Sequence, residues 1–359
     1  MENVMPDNPK KKSTTADVAR EAGVGTTSVT RYFHPRKRLE LTPQTRFLIE
    51  CAVQKLRYSP RPYAREKKVQ QYTFGLLTSL SKDIFNSRYH TGILSGIFDR
   101  IGKTTHELKL ILLKNRHYER VEEILYDHGI DGLMILTWRI HPNVVKLVEE
   151  STGELPLVIF NDYDPKLRVN ILYTDVREGM KKAVFHLFER GHREIGMLSG
   201  PTDILFKDGD KMLQVPSIDV REKRQGYIDA FEERGIKVLP DWIHECHSYT
   251  SGDGYAIMRE WIKNGNLPQA VVCANDEIAL GALTALKEAK IACPEGLALI
   301  GFDDIEKAGL VSPSLTTVRQ PLYQMGVDAV EVLIDRVKFP TKDAVQKSYL
   351  PELIPRQTA

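Results

Sequence analysis

From Tyr72 onwards, short apolar runs alternate with amphipathic stretches. YTFGLLT, ELKLILL, GLMILT and LPLVIF have the length and composition of buried parallel strands. Between them, Tyr89 to Ile101, His117 to Tyr126 and Pro142 to Glu150 carry apolar residues at helical spacing. A second series follows, with EIGMLSG, AVVCAN and LALIGF as strands and helical patterns between them. Met180, Val184, Leu187 and Phe188 form one core stripe, and Ala279, Leu280, Leu283 and Leu286 form another. This alternation predicts two doubly wound α/β lobes.

The first seventy residues read differently, with helical patterns and no strand-like run. Thr14 is placed to cap a helix whose inner face is Val18, Ala19 and Ala22, and Gly23 suits its left-handed end. Thr26 and Thr27 open a second helix after only Val24 and Gly25, with Val29 turned back towards the first. Thr42-Pro43 opens a third helix with the stripe Ile49, Ala52, Val53 and Leu56. Two helices joined by a glycine turn and braced by a third make a helix-turn-helix unit. Its second helix suits the DNA major groove, with Thr26, Thr27 and Arg31 on the outward face to meet base edges. Thr14 and Thr45, at or near helix starts, suit phosphate. GVGTTS is half of a dinucleotide loop, but it lacks the third glycine and follows a helix, which excludes that reading.

Charge sharpens the division. Residues 1–71 carry 15 Lys plus Arg against 7 Asp plus Glu, while the whole chain of 359 residues has a net charge of only +2. A basic head on a mildly acidic body points to a polyanionic partner for the head. No apolar run approaches the roughly 18 residues that cross a bilayer, and MENVMPDNPKKKS is polar where a secretion signal is apolar. Cys51, Cys246, Cys273 and Cys293 form no C-x-x-C pair and are expected to be free buried thiols. A cytoplasmic protein without cofactor is the expectation.

The stretch TTADVAREAGVGTTSVTRYF, with LTPQTRFLIECAVQKLRYSPRPYAR, resembles the DNA-binding head of the lactose-repressor (LacI/GalR) family. The resemblance continues through TDVREGMKKAVFHLFERGHREIGMLSG, REKRQGYIDAFEERG, VVCANDEIALGALTALKEA, LALIGFDDIEKAGLVSPSLTTVRQP and LPELIPRQTA. It covers about nine tenths of the chain in the family's order. It implies a helix-turn-helix head over 1–58, a hinge over 59–71, and a two-lobed periplasmic-binding-protein-like domain over 72–359 for effector binding and dimerisation. The chain is then expected to cross between lobes and to hold effector in the cleft. In the hinge, Arg61 and Lys67 are implied DNA contacts. Lys67 stands where the family has a leucine that wedges into the minor groove, so weaker operator bending is expected.

In open α/β sheets, ligands sit beyond the carboxyl ends of the strands. Ser79 (with Asp83 and Phe85 following), Asn161, Asn275 and Asp303 end apolar strands where the family binds effector. Asp276 and Asp304 are expected instead to cap the helices that follow. The resemblance adds Tyr249 as a ring over the ligand, Gln320 at the lobe crossing, and a cation from VREKRQGY. The family's arginine is Lys223 here, with Arg221 and Arg224 near enough to replace it, although lysine loses the planar fork.

Enzymatic readings fare poorly. His244, Cys246 and His247 lie on a strand pattern that sends the cysteine to the opposite side, which argues against a metal site. His106 lacks the second histidine of H-E-x-x-H, and there is neither a P-loop nor G-x-S-x-G. The expected function is a non-enzymatic transcriptional regulator, a repressor by the family's majority behaviour. It would bind a palindromic operator as a homodimer under control of a small effector, a sugar. A sugar-binding protein of a transport or sensing system, using the same two-lobed fold without DNA, is the alternative.

Overall fold

In the computed structural model, the described residues are 13–33, 41–56, 58, 71–79, 87–113, 129–136, 155–161, 169–208, 211–340 and 342–359. The chain divides into two compact units, one of residues 1–70 and 123–127 and the other of residues 71–122 and 128–359.

The first unit contains α1 (Thr15–Ala22), α2 (Thr26–Tyr32) and α3 (Pro43–Leu56). A reciprocal capping box opens α1: the Thr14 hydroxyl accepts from the Asp17 N–H, and the Asp17 carboxylate accepts from the Thr14 N–H. Gly23 ends it at φ 65°, a conformation that costs glycine nothing. The three helices bury Val18, Val29, Ile49 and Ala52 against one another, with Val53 and Leu56 partly covered. Ser13 and Tyr58 tie the two ends of the unit, through Ser13 Oγ to the Leu56 carbonyl at 3.0 Å and the Tyr58 hydroxyl to Thr15 Oγ1 at 2.7 Å.

The second unit begins with β1 (Thr73–Ser79), α4 (Arg88–Gly102), β2 (Glu107–Leu113), β3 (Gly132–Ile135), β4 (Leu157–Phe160) and β5 (Asn170–Thr174). There follow α5 (Val176–Glu189), β6 (Ile195–Ser199), β7 (Asp203–Asp208), β8 (Lys211–Pro216), α6 (Ile218–Glu233), β9 (Ile243–Glu245) and α7 (Ser251–Asn264). The last elements are β10 (Ala270–Cys273), α8 (Asp276–Glu288), β11 (Ala298–Asp303), α9 (Glu306–Leu310), β12 (Thr316–Arg319), α10 (Leu322–Lys338), β13 (Gln346–Tyr349) and β14 (Glu352–Ile354). The helical patterns read at His117 to Tyr126 and Pro142 to Glu150 lie outside the described residues.

Two parallel sheets form the two lobes. One runs β13-β5-β4-β3-β1-β2, and the other runs β14-β12-β11-β10-β6-β9 with only β14 antiparallel. The second lobe shows why its strands are uninterrupted apolar runs. Val272 and Ile300 pack on one face of the sheet beside Tyr227 and Phe231. Val271 and Leu299 pack on the other beside Trp261 and Leu283. In the first lobe, α4 and α10 cross at glycine: a Cβ on Gly96 would lie 2.0 Å from the Tyr323 carbonyl oxygen.

The chain passes between the lobes after β5, after β12 and after β13. The first and third of these crossings are joined by a bond from the Asp175 N–H to the Tyr349 carbonyl at 2.9 Å. The second and third lie side by side through the pairing of Arg319 with Glu352.

Two expectations about the body are corrected. ELKLILL is not a buried strand throughout: as β2 it lies at the sheet edge, and Leu110 and Leu112 are 47% and 38% exposed. The segment between β6 and α6 holds an antiparallel hairpin, β7 with β8, that the pattern of helix and strand did not suggest.

Candidate functional sites

In the head, Thr26, Thr27 and Arg31 stand exposed on α2, while Val29 and Tyr32 of the same helix are buried. A helix of seven residues thus divides into a face that holds the unit together and a face that does not. Thr14 serves its own helix first, with its hydroxyl 2.6 Å from Asp17 Oδ2. The Thr45 hydroxyl is likewise 2.8 Å from that of Thr42 at the start of α3. Arg61 and Lys67 lie outside the described residues.

In the body, the expected effector residues gather at the carboxyl ends of the strands. Asp303 ends β11 at φ 107° and Asn161 follows β4 at φ 57°, both in a half of backbone space that side chains other than glycine seldom enter. Such strain is held in place by the surrounding fold and concentrates where ligands bind. The Asn161 side-chain oxygen accepts from the Thr174 N–H at 2.9 Å, tying the end of β4 to the first lobe crossing. Gln320, on the second crossing, is 6% exposed and donates its Nε2 to Asp303 Oδ1 at 2.7 Å. Loss of water around the Asp303 carboxyl pushes its pKa up to about 6, against the pull of the Lys223 charge and the Gln320 bond.

Lys223 is the cation that α6 delivers to this site. It is 4% exposed, with its Nζ 3.0 Å from the Ala274 carbonyl, 3.0 Å from Asp219 Oδ2 and 4.3 Å from the centre of the Phe302 ring. Arg221 and Arg224, expected as substitutes, face solvent on the same helix, and Arg221 pairs with its neighbour Glu222. Their place in the 3.6-residue turn sets them off the buried face of α6, which includes Val220, Lys223, Gly226 and Tyr227. Asp219 and Phe302, which hold Lys223, were not singled out from sequence. The i, i+4 spacing of Asp219 and Lys223 is the signal that was present.

Tyr249 lies with its ring against the backbone of Gly200, where a Cβ would fall 2.5 Å from a ring carbon. Only glycine there lets the ring settle. Asn275 binds the Tyr249 carbonyl through Nδ2 at 3.1 Å and caps α8 by accepting from the Ile278 N–H at 2.9 Å. The capping assignment therefore moves by one residue. Asp276 is fully buried and braces the lobe instead, accepting from the Thr317 hydroxyl at 2.5 Å and the Ile305 N–H at 2.8 Å. Burial, with Asp303 nearby, holds its carboxyl well above the usual range. Asp304 caps nothing either; it accepts from Arg319 at 2.7 Å and Arg356 at 2.5 Å. Ser79 ends β1, and Asp83 and Phe85 lie outside the described residues.

Outside this cleft, Cys246 and Cys273 are buried and burial pushes the Cys246 thiol up to about 12. Cys51 is exposed on α3, against expectation, because it faces away from the Ile49 and Ala52 stripe. His247 is exposed while Cys246 is buried, so the two sit on opposite sides of the chain. Among the described residues no three His, Cys, Asp or Glu side chains are grouped to hold a metal ion. No described helix is long and apolar enough to cross a membrane.

Residues 184–359 match the periplasmic binding protein-like domain family. Over nearly its whole length the chain is similar to transcriptional repressors. The HTH-type transcriptional repressor PurR of Pasteurella multocida (strain Pm70) is 28% identical over 350 residues, 96% of this chain and 98% of that one. The ribose operon repressor of Escherichia coli (strain K12) is 28% identical over 352 residues, 97% and 100% of the two chains. Among solved structures, the complex of the transcriptional regulator CelR with cellobiose superimposes with a TM-score of 0.69 at 25% identity, over 97% of this chain and all of that one. The lac repressor dimer bound to operator and an anti-inducer shares the fold, with a TM-score of 0.68 at 21% identity over 97% and 99% of the chains. These relatives are regulators of transcription rather than enzymes, and over nearly its whole length the chain is similar to repressors of the lactose-repressor (LacI/GalR) kind.

Proposed function

We propose that the protein is a repressor that binds a palindromic operator as a homodimer and is controlled by a small effector, a sugar, held between the two lobes of its body. The observation that carries this is the division of labour on α2, where Val29 and Tyr32 are buried and Thr26, Thr27 and Arg31 stand exposed. Arginine can bond guanine through two donors at once, and threonine can bond a base or touch a thymine methyl. One such helix reads few base pairs, so two heads on a two-fold site are needed for useful specificity. The sugar follows from Asp303, Gln320, Asn161 and Lys223 at the strand ends, with the Tyr249 ring beside them. A relative named for a ribose operon and another solved with cellobiose agree with it.

Control is linkage. An effector that binds one lobe arrangement better than another shifts the population, and DNA bound to the disfavoured arrangement is weakened by the same factor. The test is selection of fragments from the organism's own genome by the purified full chain. A two-fold symmetric consensus is expected, with affinity that falls steeply as salt rises. D-ribose or cellobiose should change that affinity. Sugar binding without any DNA selection would instead mark a sugar-binding protein of a transport or sensing system.

A further inference from the structure

The chain passes from the head unit into the body at residues 70 and 71, and β1 begins at Thr73. The point of entry is held by more than a sheet ladder. The Tyr72 carbonyl accepts from the Glu107 N–H, and the Thr73 carbonyl accepts from the Asp131 N–H, each at 2.8 Å. The two backbone donors go to side chains instead. The Thr73 N–H donates to Asp131 Oδ2 at 2.8 Å, and the Tyr72 N–H donates to His106 Nδ1 at 3.1 Å. Gln71 reaches Glu107 Oε1 through its Nε2 at 2.9 Å. His106 stands just ahead of β2 and Asp131 just ahead of β3, and these strands flank β1, so the entry is gripped from both sides.

The bond at Tyr72 fixes the state of the imidazole. A backbone N–H only donates, so Nδ1 must be a bare acceptor and the ring proton sits on Nε2. A second proton would go onto Nδ1 and set donor against donor. The ring is half-buried, with its centre 4.9 Å from that of Tyr72 and 5.6 Å from that of Phe74. The His106 N–H donates to Thr104 Oγ1 at 3.1 Å, which holds the residue from below. The charged groups facing the ring are Lys338 from α10, Arg100 from α4 and Asp131. The Tyr72 phenol lies against it, with a pKa raised by burial, and Glu107 follows it in the chain. Burial lowers the His106 pKa from 6.5, and the two cations push the same way against Asp131.

We propose that His106 is a positioning residue for operator binding: its neutral ring fixes the point where the segment from the head enters the body, and a proton on Nδ1 releases that point and weakens the operator complex. This rests on the operator reading above and adds to it a residue of the body. A palindromic site fixes the separation of two heads. Segments that start from fixed points are already partly ordered, whereas a released strand end must be ordered again when operator binds. The sign follows from the lowered pKa. The bond is fully made above pH 6.5 and is lost as pH falls through the His106 value.

Two variants separate the bond from the ring. His106→Asn puts Oδ1 where Nδ1 was and accepts without titrating, whereas His106→Phe keeps a ring against Tyr72 and Phe74 but cannot accept. The full chains are titrated by anisotropy on the operator that the parent selects, from about pH 8 down to about 5.5 at constant salt. The parent is expected to lose about fivefold or more in affinity relative to His106→Asn towards the acid end. His106→Phe should bind about fivefold more weakly than both at neutral pH, with faster hydrogen exchange in the peptide that contains Tyr72. An Asn variant that follows the parent's pH profile, or one as weak as the Phe variant, overturns the inference. So does a Phe variant with the parent's operator affinity or exchange. Each of these leaves the operator reading standing, whereas selection of no operator by the parent overturns both.

Discussion

The head and the effector lobe use their polar side chains in opposite ways. In the head, the residues that would read DNA are the ones folding leaves aside: Thr26, Thr27 and Arg31 stand exposed while α2 is fixed by Val29 and Tyr32. In the lobe, the residues at the strand ends are also structural. Asn275 caps a helix and holds a loop, Lys223 bridges a carbonyl and a carboxylate, and Asp303 holds the crossing through Gln320. A surface separated from its scaffold can change recognition without changing stability. A site woven into its scaffold cannot, and that difference sets what each mutation should do.

The largest effect is expected where a polar group serves the scaffold alone. Asp276→Ala strands the Thr317 hydroxyl and the Ile305 N–H inside the lobe, and it should cost about 3 kcal/mol of stability in urea denaturation. A loss under about 1 kcal/mol would mean that the buried carboxyl costs nearly as much as its two bonds return. Next comes Arg31→Ala, which should weaken specific operator binding by about 1–3 kcal/mol in anisotropy titrations and leave the melting temperature unchanged. An equal loss on random DNA would make Arg31 a phosphate contact and blur the contrast.

Thr14→Ala tests the same separation from the other side. It removes the capping box of α1 and should destabilise the head by about 1 kcal/mol, read by thermal unfolding of the full chain followed by head-specific hydrogen exchange. The last effect is confined to a window of pH. The Asp303 carboxyl is raised from 3.8 to about 6 in the fold, so its ionisation opposes folding. Its contribution is fully favourable below 3.8 and is lost as pH rises to about 6. Asp303→Asn should therefore remove a decline in stability across that window and leave the curve above it parallel to the parent's. Curves parallel throughout would show that Asp303 is not desolvated.

What was legible from sequence follows the same contrast. The head is built from local rules: a cap three residues from its partner, a glycine at a left-handed turn, one apolar stripe per helix. Thr14, Gly23 and Val29 are therefore legible in the sequence alone. The lobes were legible as strands and helices for the same reason. The cap expected of Asp276 falls to Asn275, and Asp276 braces the lobe instead, because the bonds that fix its role come from residues 305 and 317, far along the chain. Arg221 was set beside Lys223 by closeness in sequence, whereas the turn of α6 separates them. The β7–β8 hairpin has a signal in FKDGDK, aspartate and glycine between alternating residues, which stands apart from the alternation of strand and helix around it.

The triple connection between the lobes has a mechanical meaning. A single strand joining two bodies would let them swivel, twist and slide. Three strands lying together, the third placed between the other two by the Asp175–Tyr349 bond and the Arg319–Glu352 pairing, leave bending across their common line as the soft motion. Gln320 sits at that line. A force applied there acts at the pivot of a lever, so a displacement of a fraction of an ångström is magnified along the length of each lobe. The cleft is thereby a place where a small molecule can set an angle, and the far edges of the lobes are where that angle becomes distance.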